Sequence, residues 1–353
     1  MIQATYQKYI LNFKRPSGTS RGILKTKETW FLMLNREGKW GVGECGILRG
    51  LSFDDKPEYE GKLRWLCQNI NLDKSILMHE LREFPSLQMG FETAWFSLNS
   101  PTHPYELYPS PFTQSEAPIE INGLIWMGKE QFMKTQIEEK LKEGFHCIKM
   151  KIGAIDFDNE VKLLKSIRNS FSASEIELRV DANGAFTPKD AMRKLERLAN
   201  LELHSIEQPI RQGQWQEMAR LCEETPLAIA LDEELIGVID KDKQKELIET
   251  IQPQYIILKP SLIGGFSGSD SWIKNAEQHG IEWWITSALE SNIGLNAIAQ
   301  YTYVKNSELP QGLGTGSLYS NNIPAPLYVK NGALYYLQNE TWNTDTLNPI
   351  KTY

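Results

Sequence analysis

The chain has 353 residues, enough for one large domain plus an accessory one, and carries a net charge of −7 without a long basic block, which argues against nucleic acid or an anionic membrane as partner. Its four cysteines (Cys45, Cys67, Cys147, Cys222) are scattered and form no CxxC, so neither a disulfide framework nor a zinc knuckle is expected, as suits a reducing compartment. No apolar run reaches the roughly 18 residues of a membrane span, and MIQATYQKYI lacks the basic-then-apolar pattern of a signal peptide, so a cytoplasmic protein is expected.

Residues 1–45 read as antiparallel β: ATYQKYILNF and ETWFLMLN are β-prone, and GKWGVGECG carries turn glycines. The polar segment FKRPSGTSRG between them reads as a hairpin loop, or as a mobile loop that closes over a ligand and offers Arg21 to an anion. Residues 57–99 read as helices, with Leu63, Leu66 and Ile70 at helical spacing and GFETAWFSLNS as a second apolar helix. Five prolines between residues 101 and 118 mark a connector, and a domain boundary is placed near residue 115.

From about residue 118 short apolar strands alternate with amphipathic helices. The strands are IEINGLIW, HCIKMKI, IELRVDA, HSIEQ, LAIALDE, YIILKP and IEWWITS. Val161, Leu164, Ile167 and Phe171 share one face of an intervening helix; Thr187-Pro188 opens another and His279-Gly280 closes a third. Such alternation implies parallel strands with crossover helices, and the number of units favours a closed barrel over an open sheet. No GxGxxG follows the first strand, which weakens a dinucleotide-binding reading. The segment from IPAPLYVKNGALYYLQNE onward reads as a final hairpin returning to the N-terminal domain. The expectation is an α/β protein, with a capping domain over residues 1–115, completed by about 321–353, and a barrel over 116–320.

In HCIKMKIG, Lys149 and Lys151 alternate with Ile148, Met150 and Ile152, so a strand places both lysines on one face. Two ammonium groups held together inside a protein need anions opposite them. Other strand ends supply these: Arg179, Asp181 and Asn183 at period two, then Glu207, then Asp232, with Lys259 ending a later strand. The three acids recur about one βα unit apart and so converge on one rim, where parallel barrels place their active sites. Three hard oxygen ligands on rigid strands suit Mg²⁺, and no histidine cluster suited to zinc is present. Taken singly, each residue has a plainer reading: Asp181 as a helix N-cap, Glu207 as a loop acid, a strand-end lysine as an exposed side chain.

KMK, RVDANGAF, IEQP, LDE and LKP, in this order and spacing, resemble the enolase superfamily in its muconate-lactonizing subgroup. The resemblance spans nearly the whole chain and implies a (β/α)7β modified TIM barrel with an N-terminal α+β capping domain. It further implies that Asp181, Glu207 and Asp232 bind Mg²⁺, that Lys151 is the acid/base with Lys149 tuning it, and that Lys259 meets a small carboxylate substrate from the opposite face. Arg179 and Asn183 take supporting roles. ITSALESNIGLNAIAQ resembles the dehydrating branch that forms a succinyl-substituted benzoate on the route to menaquinone. Ser287, Ser291 and Asn292 would then serve a succinyl carboxylate, or instead form a helix cap. N-succinylamino acid racemisation and dipeptide epimerisation remain as alternatives. The epimerases' Asp-x-Asp after the last barrel strand has no counterpart in GLGTGSLYSNNIP.

Overall fold

The computed structural model describes residues 1–19, 22–343 and 347. Three antiparallel strands, β1 (Gln3–Thr19), β2 (Gly22–Arg36) and β3 (Lys39–Cys45), begin the cap. Helices α1 (Tyr59–Gln68), α2 (Lys74–Glu80) and α3 (Pro85–Asn99) follow. Leu63, Leu66 and Ile70 are buried with Trp30, Leu32 and Phe91 in a core of the cap's own. Helix α3 lies directly on β3 because of glycine: a Cβ at Gly43 would collide with the Gly90 carbonyl, and one at Gly41 with the Leu98 amide. The segment expected as a loop after Phe13 is instead mostly strand. Ser17 pairs with Leu24 and Thr19 with Gly22, after a register shift between Asn12 and Ser17. Arg21 lies outside the described residues.

A short helix, α4 (Pro111–Gln114), and strand β4 (Ile119–Glu120) lead into the barrel. Its strands and helices alternate as β5 (Gly123–Ile125), α5 (Glu130–Lys142), β6 (Cys147–Lys151), α6 (Phe157–Arg168), β7 (Glu177–Asp181), α7 (Pro188–Ala199), β8 (Ser205–Glu207), α8 (Trp215–Glu224), β9 (Ile229–Leu231), α9 (Lys241–Ile251) and β10 (Tyr255–Leu258). Then come α10 (Pro260–Ile263), α11 (Gly265–Gln278), β11 (Glu282–Ile285) and α12 (Asn292–Lys305). Strands β5 to β11 form one parallel sheet in sequence order. Gln311 and Gly312 bridge Ile121 and Thr286 in parallel fashion, so a reduced eighth strand spans the gap between β11 and the barrel's entry. Helix α7 starts as expected, with the Thr187 hydroxyl accepting the Asp190 N–H and Pro188 in the first turn.

The final hairpin, β12 (Leu327–Lys330) and β13 (Ala333–Tyr336), departs from expectation. It pairs with β4, not with the N-terminal sheet. The return to the cap is made by the segments on either side of it. The Lys14 N–H donates to the Leu318 carbonyl, the Ser320 N–H to the Asn12 carbonyl, and Trp342 stacks on Tyr105 at 4.1 Å. Hairpin residues Leu334 and Tyr336 are buried in the barrel's core, and burying them there is what seats the hairpin on the barrel.

Candidate active site

The period-two pattern of HCIKMKI places Lys149 and Lys151 on the interior face of β6, opposite Arg179 and Asp181 of β7 in register, and Asp181 stands opposite Glu207 of β8. Asp232 follows β9 and Lys259 follows β10. Three acids and three lysines thereby meet at the carboxyl ends of five consecutive strands. Lys151 Nζ donates to Asp181 Oδ2 at 2.6 Å and to Asn183 Oδ1 at 2.8 Å, Lys149 Nζ to Glu207 Oε2 at 2.7 Å, and Lys259 Nζ to Asp232 Oδ2. The acids are 1–2 % exposed. At such burial the pairs cost nearly what they return, so their value lies in the arrangement they hold.

The electrostatics follow from that crowding. Burial raises Glu207, and repulsion from Asp181 and Asp232 adds to it against the pull of Lys149 and Lys259, leaving it at about 7. Burial would also raise Asp181, but the three lysines, Lys151 foremost, hold it well below the usual carboxylate range. Burial lifts Asp232, partly offset by Lys259. For Lys149 and Lys259 burial works downward, yet the facing carboxylates more than offset it, and both sit above the ordinary lysine value.

Two neighbouring residues hold the strand ends in place. Asn183, at φ 43°, accepts from Lys151 and donates to Glu233 at 3.0 Å. Gln208, at φ 41° and fully buried, accepts the Asp232 and Glu234 N–H groups and donates to Glu234 at 3.0 Å. Gln208 escaped the sequence reading, since a Gln before Pro carries no chemical signal of its own.

A cavity of about 550 Å³ opens above these groups, walled by Lys149, Lys151, Asp181, Asn183, Lys259 and Ser287 of the barrel and by Lys14, Leu24, Arg49 and Leu51 of the cap. Glu207 and Asp232 lie behind Lys149 and Lys259. Arg179 is not a rim residue. It sits two residues deeper on β7, 1 % exposed, donates to Glu177 at 2.6 Å and to the Pro310 carbonyl at 2.9 Å, and lies over Trp284. Nor do Ser291 and Asn292 wall the cavity. Ser291 caps α12 and donates to Glu44 Oε2 at 2.5 Å, while the Asn292 side chain donates to the Ile323 carbonyl at 2.7 Å. Capping turns Ser291 away from the cavity and the bond to Ile323 turns Asn292 away, whereas Ser287, still at the strand end, faces Thr315 Oγ1 at 2.6 Å on the wall.

Asp181, Glu207 and Asp232 could hold a hard divalent cation. All are oxygen donors on adjacent strands, and Glu207 Oε1 is buried with no hydrogen-bond partner among the described residues. Among the described residues no three donors already stand at ligand spacing, because each carboxylate turns toward its lysine. Cation binding therefore requires Lys151 and Lys259 to release Asp181 and Asp232, while Glu207 can offer Oε1 with Oε2 still on Lys149.

A parallel barrel with paired acids and lysines at its carboxyl rim, closed by a separate α+β cap, defines a cap-and-barrel enzyme architecture. The model of the enolase C-terminal domain-like family matches residues 133–338, more than half of the chain, and the chain belongs to that family. It is 46% identical to the o-succinylbenzoate synthase of Desulfotalea psychrophila, over 94% of this chain and 98% of the relative. The crystal structure of MenC from that organism superposes with a TM-score of 0.84 at 43% identity, covering 95% of this chain and 99% of the other. An N-succinylamino acid racemase of Thermus thermophilus is 35% identical over 78% of this chain and 75% of its own. A dipeptide epimerase from Enterococcus faecalis, solved with Mg and a dipeptide, shares the fold at a TM-score of 0.81 and 20% identity, covering 95% and 96%.

Proposed function

We propose that the chain is an o-succinylbenzoate synthase, a hydro-lyase of menaquinone biosynthesis that acts in the cytoplasm and depends on Mg²⁺. It converts 2-succinyl-6-hydroxy-2,4-cyclohexadiene-1-carboxylate to 2-succinylbenzoate. What carries the reading is the 46% identity to a synthase over nearly the whole length of both chains.

Enolase-superfamily sites pair a Lys or His base with Mg²⁺, a property of the family. Asp181, Glu207 and Asp232 would hold a divalent cation, which would supply positive charge where the substrate carboxylate gains electron density. The remaining work falls to the chain itself. Once its pair with Asp181 opens and its ammonium proton is lost to solvent, the neutral Lys151 amine takes the proton next to the carboxylate. The electron pair left behind expels hydroxide from the neighbouring ring carbon. Lys151 returns its proton to that oxygen, water departs, and the ring becomes aromatic. Lys259, which follows β10 across the barrel mouth, steadies the anionic intermediate from the other face as an ammonium. Lys149, anchored on Glu207, orients that carboxylate. Ser287 and Thr315 offer hydroxyls to the distal succinyl carboxylate, and Lys14 and Arg49 of the cap line the same cavity. Arg21 is proposed as a further anion contact from the cap on the sequence pattern alone.

The test is dehydration of the cyclohexadiene carboxylate with Mg²⁺ by the purified chain and by Lys151→Ala. Removing the acid/base is expected to lower kcat by roughly 10³-fold with the fold intact by circular dichroism. Full activity in the variant excludes Lys151 as acid/base. Millimolar Mg²⁺ is expected to raise Tm and EDTA to reverse it, by mass action on the folded state.

The racemase reading has one observation in its favour, the 35% identity to an N-succinylamino acid racemase, and the facing Lys151 and Lys259 suit two-base chemistry as well. Deuterium exchange at the α-carbon of N-succinylamino acids at a rate matching dehydration would favour it. Dipeptide epimerisation is less well supported: Gly312, Gly314, Thr315 and Ser317 wall the cavity where an acid would be needed for a substrate ammonium.

A further inference from the structure

Beneath the cavity wall lies a second buried charge cluster that the proposed reaction does not use. Lys27 of β2 is 4% exposed, and its Nζ has no hydrogen-bond partner among the described residues. The charges acting on it are the carboxylates of Glu44, on β3, and Glu290, in the turn between β11 and α12. Glu44 is well satisfied. It accepts from Thr29 Oγ1 at 2.8 Å, the Ser291 N–H at 2.9 Å, Ser291 Oγ at 2.5 Å and the Gly294 N–H at 2.9 Å, and so covers the start of α12. Lys27 lies in the field of both carboxylates, Glu44 the more strongly, and pairs directly with neither; Glu290 is fully buried. Gly46 of the cap and Gly294 of α12 pack against the two carboxylates. A Cβ at Gly46 would stand 3.0 Å from Glu290 Cγ, and one at Gly294 would stand 2.7 Å from Glu290 Cβ and 2.9 Å from Glu44 Oε2.

The turn that carries Glu290 is strained. Leu289 has φ 65°, the left-handed region that a leucine rarely enters. Contacts on both sides impose it: Glu290 Oε2 accepts the Ala288 N–H at 2.7 Å, and the Leu289 carbonyl accepts from Tyr319 Oη at 2.6 Å. The Leu289 side chain packs with Leu48 of the cap and Leu262 of the barrel, and Ser287, Ala288 and Leu289 are consecutive residues of the cavity wall. Buried ions are poor stabilisers compared with apolar residues of the same volume, so what they contribute is a specified conformation.

We infer that Lys27, Glu44 and Glu290 act as a positioning triad across the interface of cap and barrel. The cap's two charges fix the Glu290 turn, the turn holds Leu289 in its left-handed conformation, and the shape of the substrate-facing wall from Ser287 to Leu289 follows. None of the three touches the reacting atoms. The triad sets how the substrate is seated and leaves the lysine and carboxylate chemistry to the rim. The structural claim stands apart from the proposed function, and only the choice of substrate in the kinetic arm rests on that reading.

The test uses the full chain carrying Glu290→Gln, which keeps shape and removes charge, together with Leu289→Gly, which removes the need to enforce a positive φ. A crystal structure of E290Q is expected to show residue 289 relaxed to negative φ. KM for the cyclohexadiene carboxylate is expected to rise about tenfold with kcat changed less than about threefold. Added to L289G, E290Q is expected to raise KM by less than about twofold, because a glycine does not need the restraint. Lys27→Met, read by the same two measurements, serves if E290Q does not fold. Leu289 remaining at positive φ with unchanged KM in a folded variant overturns the inference. So does an equal KM effect of E290Q on the wild-type and L289G backgrounds. If the wild-type chain does not turn over the substrate, the proposed function fails, and the backbone of residue 289 in E290Q still decides the triad.

Discussion

A carboxylate or ammonium in this molecule is defined by what stands next to it. Asp181, Glu207 and Asp232 could be singled out in the sequence because they end successive strands, and a side-chain period of two leaves no choice of face. Ser291 and Asn292 sit only a few residues beyond a strand end, but the chain has already turned into a helix, where capping directs Ser291 and the Ile323 carbonyl directs Asn292. Asp54 illustrates the same rule away from the site. It is buried in the cap, accepts from the Ser86 N–H at 2.9 Å and Ser86 Oγ at 2.6 Å, and burial, only partly offset by those bonds, raises it from 3.8 to about 6. The native state therefore holds this proton more tightly than the unfolded chain. The stability the group contributes is complete below its unfolded pKa and is lost as pH rises through about 6. Against Asp54→Asn, wild-type stability is expected to fall by roughly 2–3 kcal/mol between the two values, by urea melts across pH. Parallel pH profiles for the two proteins would show that Asp54 does not titrate there.

Among the elements, β3 and α3 depend on each other most directly. Gly41 and Gly43 on the strand and Gly90 on the helix let two backbones meet, with Gly90 against Cys45 Sγ. Gly43→Ala sets a Cβ against backbone, which cannot swing aside, so the loss is expected to be at least about 3 kcal/mol in chemical denaturation. Alanine at Gly61, on an open helical surface, is expected to be neutral or to stabilise by up to about 1 kcal/mol. The barrel elements were legible because periodicity is strong over a full βα unit and parallel strands buried on both faces read as continuous apolar runs. The lid-like segment after Phe13 was not, since Pro, Gly and Ser signal a loop while partner-strand hydrogen bonding decides whether it becomes one.

Across the whole molecule, cap and barrel are joined by carboxylates of one domain placed on helix starts of the other. Glu44 covers α12. Glu92 of α3 accepts the Phe266 N–H at 2.8 Å, the Ser267 N–H at 3.2 Å and the Ser267 hydroxyl at the start of α11. Helix starts carry unpaired N–H groups and partial positive charge, so each carboxylate satisfies donors that would otherwise be buried alone. Glu92→Ala is expected to cost about 2 kcal/mol and to let the cap melt ahead of the barrel, seen by calorimetry as a shoulder below the main transition. A single sharp transition at the wild-type Tm would mean that this contact does not couple the domains. The sequence alone determined the barrel, the separate cap and the strand ends that bring acids and lysines together, because these follow from local period and from where parallel strands end. Only the tertiary structure decided that Arg179 lies below the rim, that the last hairpin joins the barrel entry, and that Glu44 of the cap reaches Ser291 and Gly294 at the start of α12. Those depend on contacts between residues far apart in the chain, whose energy comes from burial and pairing and leaves no periodic trace in either segment.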